Sequence, residues 1–149
     1  LNLLARFLEN FPSEIPLAVE VRHESFFQKT VASEDLFQLL QSQNIATVIT
    51  DVAGRRDVCH ARLTNWRVLI RFVGNGLHPS DYHRIEAWSE RLKMWLDAGL
   101  HEVYFFTHEP DNLLAPDLAV FCAEIFSAKM PTVTLRGPKP VSGQQGLLF

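Results

Sequence analysis

Charged residues gather at the end of an apolar strand pattern near the start of the chain. Residues 17–24 read LAVEVRHE, in which small and β-branched residues lead into Glu20, Arg22 and His23. Because alternate residues of a strand share a face, Glu20 and Arg22 are predicted to lie together, with the intervening valines on the opposite face. Polar groups at strand ends commonly build the sites of α/β proteins. The chemistry that these residues suggest is acid–base catalysis, with His23 carrying a proton beside Glu20.

Three later segments repeat this arrangement of an apolar run ending in charge. Asp51 comes near the end of ATVITDV, Arg71 lies within RVLIRFVG, and His108 and Glu109 close HEVYFFTHE. We predict Glu20, His23, Asp51 and His108 as catalytic residues. A buried carboxylate requires a partner, so Asp51 is expected to pair with Arg71 of the next strand.

The same charged residues have two alternative roles. Arg22, Arg71 and Glu109 are predicted to bind substrate, with Arg71 holding a small anionic or polar group through a forked pair of hydrogen bonds. Alternatively, Glu20 and Arg22 form a buried polar network that only fixes packing, and an Arg71–Asp51 pair is scaffolding. The residue types leave both readings open.

A divalent metal is a further hypothesis for this set. Histidines and carboxylates together are the mixed ligands that bind Zn, Mn or Mg, and the candidates are His108, Glu109 and Asp111 after the fourth strand with Glu20, His23 and Asp51. The sequence contains no HxH or HExxH spacing. The cofactor is therefore left as unknown.

The elements that position these residues alternate between strands and helices. Their order predicts an α/β fold with parallel strands and right-handed crossovers. No Gly-rich phosphate loop follows a strand, and every strand contributes a charged end, which favours half of a barrel over an open nucleotide-binding sheet. The predicted strands are 17–22, 46–52, 67–74 and 101–109, and the predicted helices are 1–11, 33–43, 80–98 (capped by Ser80) and a last one beginning at Pro116.

Composition excludes several classes of function. The chain has 149 residues, 47% of them hydrophobic, and a formal net charge of −3, which gives no signal for direct nucleic-acid or membrane-surface binding. No apolar run approaches the roughly 20 residues of a membrane span. Two distant cysteines, Cys59 and Cys122, fit a reducing compartment, so a cytoplasmic location is expected.

The segments EVRH, Asp51, Arg71 to Gly74 and FFTHEPDNLLAP, in this order, resemble the DUF72 (YecE-like) family. The resemblance extends from about Leu17 to Phe126 and implies the C-terminal half of a TIM-type barrel, with four strands and flanking helices. It implies no reaction, since the function of the family is unknown. The chain opens at Leu1 without Met, so we expect a piece of a longer protein.

The C-terminal segment has a different composition. We predict a barrel-half domain over 1–131 and a flexible tail over 132–149, which is rich in Gly and Pro and ends in QGLLF. Gln145, Leu148 and Phe149 resemble the peptide that binds the bacterial sliding clamp, whereas the alternative is that they fold back onto the domain. Two hypotheses follow: a hydrolase-like or lyase-like enzyme, and a clamp-associated binding protein in DNA metabolism.

Overall fold

A computed structural model describes residues 1–27 and 31–138 of the chain. Within these residues, four strands pair in parallel in the order in which they occur along the chain. The strands are Ala18–Val19 (β1), Ala46–Val52 (β2), Arg67–Val73 (β3) and Glu102–His108 (β4). The predicted α/β fold with a parallel four-stranded sheet is confirmed.

The helices follow the predicted alternation with small differences at their ends. They are Asn2–Glu9 (α1), Val31–Ser42 (α2), Pro79–Asp97 (α3) and Ala115–Lys129 (α4). The segment between β2 and β3 contains only a short 3₁₀ turn, Arg56–Val58. No helix in the described ranges is long and apolar enough to cross a membrane.

Two predictions about element ends are wrong. Strand β1 is two residues long, not six, so Glu20 and Arg22 lie just beyond it. Ser80 does not cap α3: the cap is His78, whose imidazole accepts the Ser80 N–H, while Pro79 occupies the first turn and Asp81 completes a capping box. Proline at the first helical position has no N–H to satisfy, so the helix begins at Pro79 and its cap lies two residues before the predicted Ser80.

The sheet buries one face under the helices. Ile49, Val68, Ile70 and Phe72 from this face form the main core with Ile85 and other residues of α3 and α4. A second cluster joins β1 to α1 and α2 through Leu8, Leu36 and Leu40. Strand β3 alternates between buried and half-buried residues, and β4 between half-buried and exposed residues. We call the side turned away from the helices the open face; Thr50, Arg71, Tyr104, Phe106 and His108 lie on it.

Candidate functional site

A carboxylate, a hydroxyl and a guanidinium form a row across the open face near the carboxyl ends of the strands. Glu20 Oε1 accepts the hydroxyl of Thr50 at 3.0 Å and lies 3.6 Å from Nη1 of Arg71. Thr50 and Arg71 are register partners in β2 and β3. The Glu20 and Arg71 side chains are 23% and 34% exposed, so the pair is half-buried and accessible to a ligand.

Arg22 and His23 border this row. Nη2 of Arg22 lies 3.5 Å from Glu20 Oε2, which confirms that the two side chains share a face, while Val19 and Val21 pack on the core. His23 caps a 3₁₀ turn, Glu24–Phe26, and its Nδ1 accepts the backbone N–H of Ser25 at 3.3 Å. Its imidazole is exposed.

Strand β4 completes the row on the other side of Arg71. Phe106 is the register partner of Arg71, and His108 is the register partner of Val73. Alternation along β4 places Tyr104, Phe106 and His108 on the open face, where all three are exposed. The sequence reading missed Thr50 and Phe106. Phe106 could have been found from its spacing, since it lies two residues from the predicted His108 on the same strand. Thr50 could not, because the predicted site residue of β2 is Asp51, which alternation places on the opposite face from Thr50.

Asp51 lies on the opposite face of the sheet. Its side chain is fully buried, and its register partner is Phe72 of the helix face. Both carboxylate oxygens accept Nη1 of Arg56 at 2.8 Å, and Oδ2 also accepts Nε1–H of Trp88 at 2.7 Å. The predicted Asp51–Arg71 pair is therefore wrong. The register partner of Arg71 is Thr50, and Asp51, the next residue of β2, points to the opposite face.

Arg84 extends the network around Asp51 into helix α3. It donates to Oδ1 of Asp51 at 2.9 Å, to Oδ1 of Asp81 at 2.8 Å and to the carbonyl of Val73 at 2.9 Å. Its guanidinium also stacks on the ring of Phe72, 4.1 Å from the centroid. Arg84 thus fixes the carboxyl ends of β2 and β3 against α3. In the sequence, this role is indicated only by the spacing of four residues between Arg84 and Trp88, which places both side chains on the same face of α3.

Glu109 is also buried, and it holds the loop that follows β3. Its oxygens accept the backbone N–H groups of Gly76 at 2.7 Å and Leu77 at 3.4 Å. The neighbouring backbone N–H groups of Asn75 and His78 donate to Asp81. Two carboxylates therefore occupy four consecutive backbone donors of this loop. Nothing in this arrangement supports the predicted substrate-binding role of Glu109, and its contacts assign it to positioning the loop.

His60 packs against the helix face of β2. Its Nε2 lies 3.1 Å from the carbonyl of Val48, and its Nδ1 accepts the N–H of Arg62, which fixes the tautomer with the proton on Nε2. Burial lowers the pKa of His60, and the hydrogen bond to Val48 offsets part of that effect. The ring is therefore neutral and structural.

The cysteines are poor nucleophiles. Burial raises the pKa of Cys122 to about 12, and burial together with the charge of Asp51 raises the pKa of Cys59. A thiolate is the reactive form of cysteine, so both remain unreactive thiols at neutral pH.

The hypothesis of a mixed His/carboxylate metal set is not supported by side-chain positions. Among residues 1–27 and 31–138, no three His, Cys, Asp or Glu side chains come together in a way that could hold a metal ion. Asp51 and Glu109 are directed into separate buried networks, away from Glu20. The tail residues Gln145, Leu148 and Phe149 lie outside the described part of the chain.

Comparison with known proteins gives one family. The model of the family described as "Protein of unknown function DUF72" matches residues 1–143. The chain belongs to the DUF72 family. The protein "UPF0759 protein YecE" of Escherichia coli K12 is 31% identical to it over 167 aligned positions, which cover all of this chain and 60% of that protein. The chain thus spans less than two thirds of the length of this DUF72 relative.

A solved structure has the same fold. The crystal structure of a DUF72 family protein from Thermotoga maritima superposes with a TM-score of 0.61 at 19% identity, covering 87% of this chain and 51% of that one. A local match, 36% identical over 61 residues, links 39% of the chain to 9% of "Type IV inositol polyphosphate 5-phosphatase 6" of Arabidopsis thaliana. Because this match covers so little of that protein, its activity is not transferred to this DUF72 chain.

Proposed function

We propose that this chain carries the anion-accepting part of an enzyme site, of a hydrolase-like or lyase-like kind, at the carboxyl ends of its strands. The observation that carries the proposal is the half-buried Glu20–Arg71 pair, which is bridged to β2 by the Thr50 hydroxyl. A pair that served packing alone would be expected inside the core, as Asp51 and Arg84 are. Here the two charged groups remain accessible at the end where parallel α/β folds place their sites.

Arg71 is the residue that we assign to binding an anion. Two guanidinium groups, of Arg71 in the row and of Arg22 at its border, pair with the one carboxylate of Glu20 among the described residues. One positive charge is left over, and a phosphate or carboxylate of a substrate would balance it. A planar guanidinium binds such groups through two parallel hydrogen bonds.

Proton transfer falls to Glu20 and to one of two histidines. In a hydrolysis, Glu20 takes a proton from the attacking water while an imidazole gives a proton to the leaving group, so that the protons balance. His108 is exposed on the open face, two residues beyond the register partner of Arg71, and His23 follows Glu20 closely in sequence. Because Nδ1 of His23 is engaged by Ser25, His23 would exchange its proton through Nε2.

A substrate screen tests this function. The chain is assayed on phosphoesters, glycosides and carboxylate esters, together with the variants Glu20→Gln and Arg91→Ala. Arg91 lies on the exposed side of α3 and serves as the control. We expect turnover in one substrate class, a loss of at least about 100-fold in Glu20→Gln because a general base contributes that much, and no loss in Arg91→Ala. Equal turnover by Glu20→Gln, or no turnover in any class, would overturn the proposal.

A second proposal rests on the tail sequence. Gln145, Leu148 and Phe149 match the pattern of a sliding-clamp peptide, which would tether the chain to DNA metabolism in the cytoplasm. Calorimetry against a bacterial sliding clamp tests it. Binding is expected for the chain and not for the variant Leu148→Ala/Phe149→Ala; equal binding by both would remove the idea.

A further inference from the structure

An open cavity of about 310 Å³ lies on the open face, on the amino-terminal side of the Glu20–Arg71 row. Its lining is mostly apolar and comes from strands β1 to β4 and the segment before β1. Phe106 lies between the cavity and the Glu20–Arg71 row, since it lines the cavity and is also the register partner of Arg71. The residues that line it include Leu17, Ala18, Ala46, Leu69, Tyr104 and Phe106.

The distance between the charged row and the cavity is set by strand geometry. Along β3, Leu69 precedes Arg71 by two residues, and along β4 Tyr104 precedes Phe106 by two. Two residues of a strand span about 6.6 Å, which is roughly the length of a six-membered ring with one substituent. A ligand whose anionic group contacts Arg71 would therefore extend a directly attached ring past Phe106, the register partner of Arg71, towards Leu69 and Tyr104 over the cavity.

The aromatic side chains are available to such a ring. Phe106 is 50% exposed and Tyr104 is 48% exposed, and both lie on β4, the edge strand of the described sheet. Stacking and apolar contact with these side chains would favour a flat ring over a hydrated sugar or a bare ion. The guanidinium of Arg71 supplies the charge complement.

We propose that the ligand of this site is an organic anion in which a phosphate or carboxylate is attached to an apolar, ring-sized body. The inference rests on the proposed function, because it takes Arg71 as the anion-binding residue. It adds the class of substrate, and it assigns Phe106 and Tyr104 to the specificity of the site.

Calorimetric titration of the full chain with four probes tests the inference. Inorganic phosphate and acetate measure the anion alone, while phenyl phosphate and benzoate add the ring to each. We expect the aromatic member of at least one pair to bind about tenfold more tightly than its simple anion, the factor expected for burying one ring face. Comparison of the two pairs distinguishes phosphate from carboxylate ligands.

Variants separate the ring contact from the anion contact. Phe106→Ala should abolish the tenfold preference and leave the affinity for inorganic phosphate or acetate unchanged, whereas Arg71→Ala should weaken every probe. Phe106→Leu, which keeps an apolar side chain in a folded sheet, should retain only part of the preference. Arg91→Ala should behave as the unaltered chain does.

The outcomes distinguish this inference from the proposed function. Simple anions that bind through Arg71, with no gain from a ring or no effect of Phe106→Ala, would overturn the inference alone. Absence of binding by all four probes would overturn both.

Discussion

The carboxylate of Glu109 lies directly against Gly74, so close that a Cβ atom on residue 74 would fall 2.1 Å from Oε1. The same carboxylate accepts the backbone N–H groups of Gly76 and Leu77. Because the main chain of Gly74 also donates to the carbonyl of His108 at 2.8 Å, this contact joins the loop after β3 to the end of β4. The orientation of His108 at the candidate site therefore depends on a glycine and a buried carboxylate.

Replacing Gly74 is expected to be strongly destabilising. Gly74→Ala forces Glu109 or the loop to move and should lower the free energy of unfolding by about 3 kcal/mol, as overpacking does at buried sites. Gly54→Ala is the control, since Gly54 has a φ of +76° and open space around its Cα; it should cost about 1 kcal/mol from backbone strain alone. Urea denaturation of both variants gives the comparison, and equal losses would contradict the steric contact.

A double-mutant cycle isolates that contact. In a Glu109→Ala background, the Gly74→Ala change should cost much less than in the unaltered chain, because the atoms that it meets are gone. If the losses in free energy of unfolding are additive in the double variant, the Glu109 side chain is not what excludes a Cβ atom at residue 74.

Asp51 should behave as a structural residue. Asp51→Asn removes one of the two carboxylates that pair with Arg84, whose side chain is 13% exposed, together with the charge that pairs with Arg56, and it is expected to cost about 3 kcal/mol of folding free energy. Asp97→Asn is the matched control, because Asp97 pairs with Lys93 on the exposed surface of α3. Thermal unfolding should separate the two variants clearly. Unaltered stability of Asp51→Asn would contradict the network.

His60 should make the fold sensitive to mild acid. Burial lowers the pKa of His60 in the folded chain below its unfolded value, so the unfolded state binds the proton more readily. The contribution of neutral His60 to the free energy of unfolding is then fully present above about pH 6.5. It decreases as the pH falls through that value towards the folded pKa. We expect a smaller decrease in unfolding midpoint between about pH 7.5 and 5.5 in His60→Gln than in the unaltered chain. Identical decreases in the two chains would exclude this role of His60.

Much of the fold could be predicted from the sequence, because its signals are local. The apolar run ATVITDV predicts β2 with the bounds that the structure gives. The alternation of strands with helices along the chain predicts that the strands pair in parallel. The predicted length of strand β1 is too great, because EVRH continues the alternating pattern although the backbone leaves the sheet after Val19. The domain division at residue 131 stays a prediction.

The site was harder to predict because it depends on register. Alternation correctly placed Glu20 and Arg22 on one face, but which residue of β2 adjoins Arg71 depends on strand pairing over a distance in sequence. The register places Thr50 there and turns Asp51 to the helices. Glu109 could not be assigned either, since its burial depends on a loop more than 30 residues earlier.

Arg71→Ala tests most directly whether the Glu20–Arg71 pair serves binding and not packing, when phosphate or acetate binding and thermal unfolding are measured on the same preparation. We predict that anion binding is lost while folding free energy falls by about 1 kcal/mol or less, as for a partly exposed ion pair. Unchanged anion binding together with a loss of several kcal/mol would contradict it, because that result is expected of a structural pair.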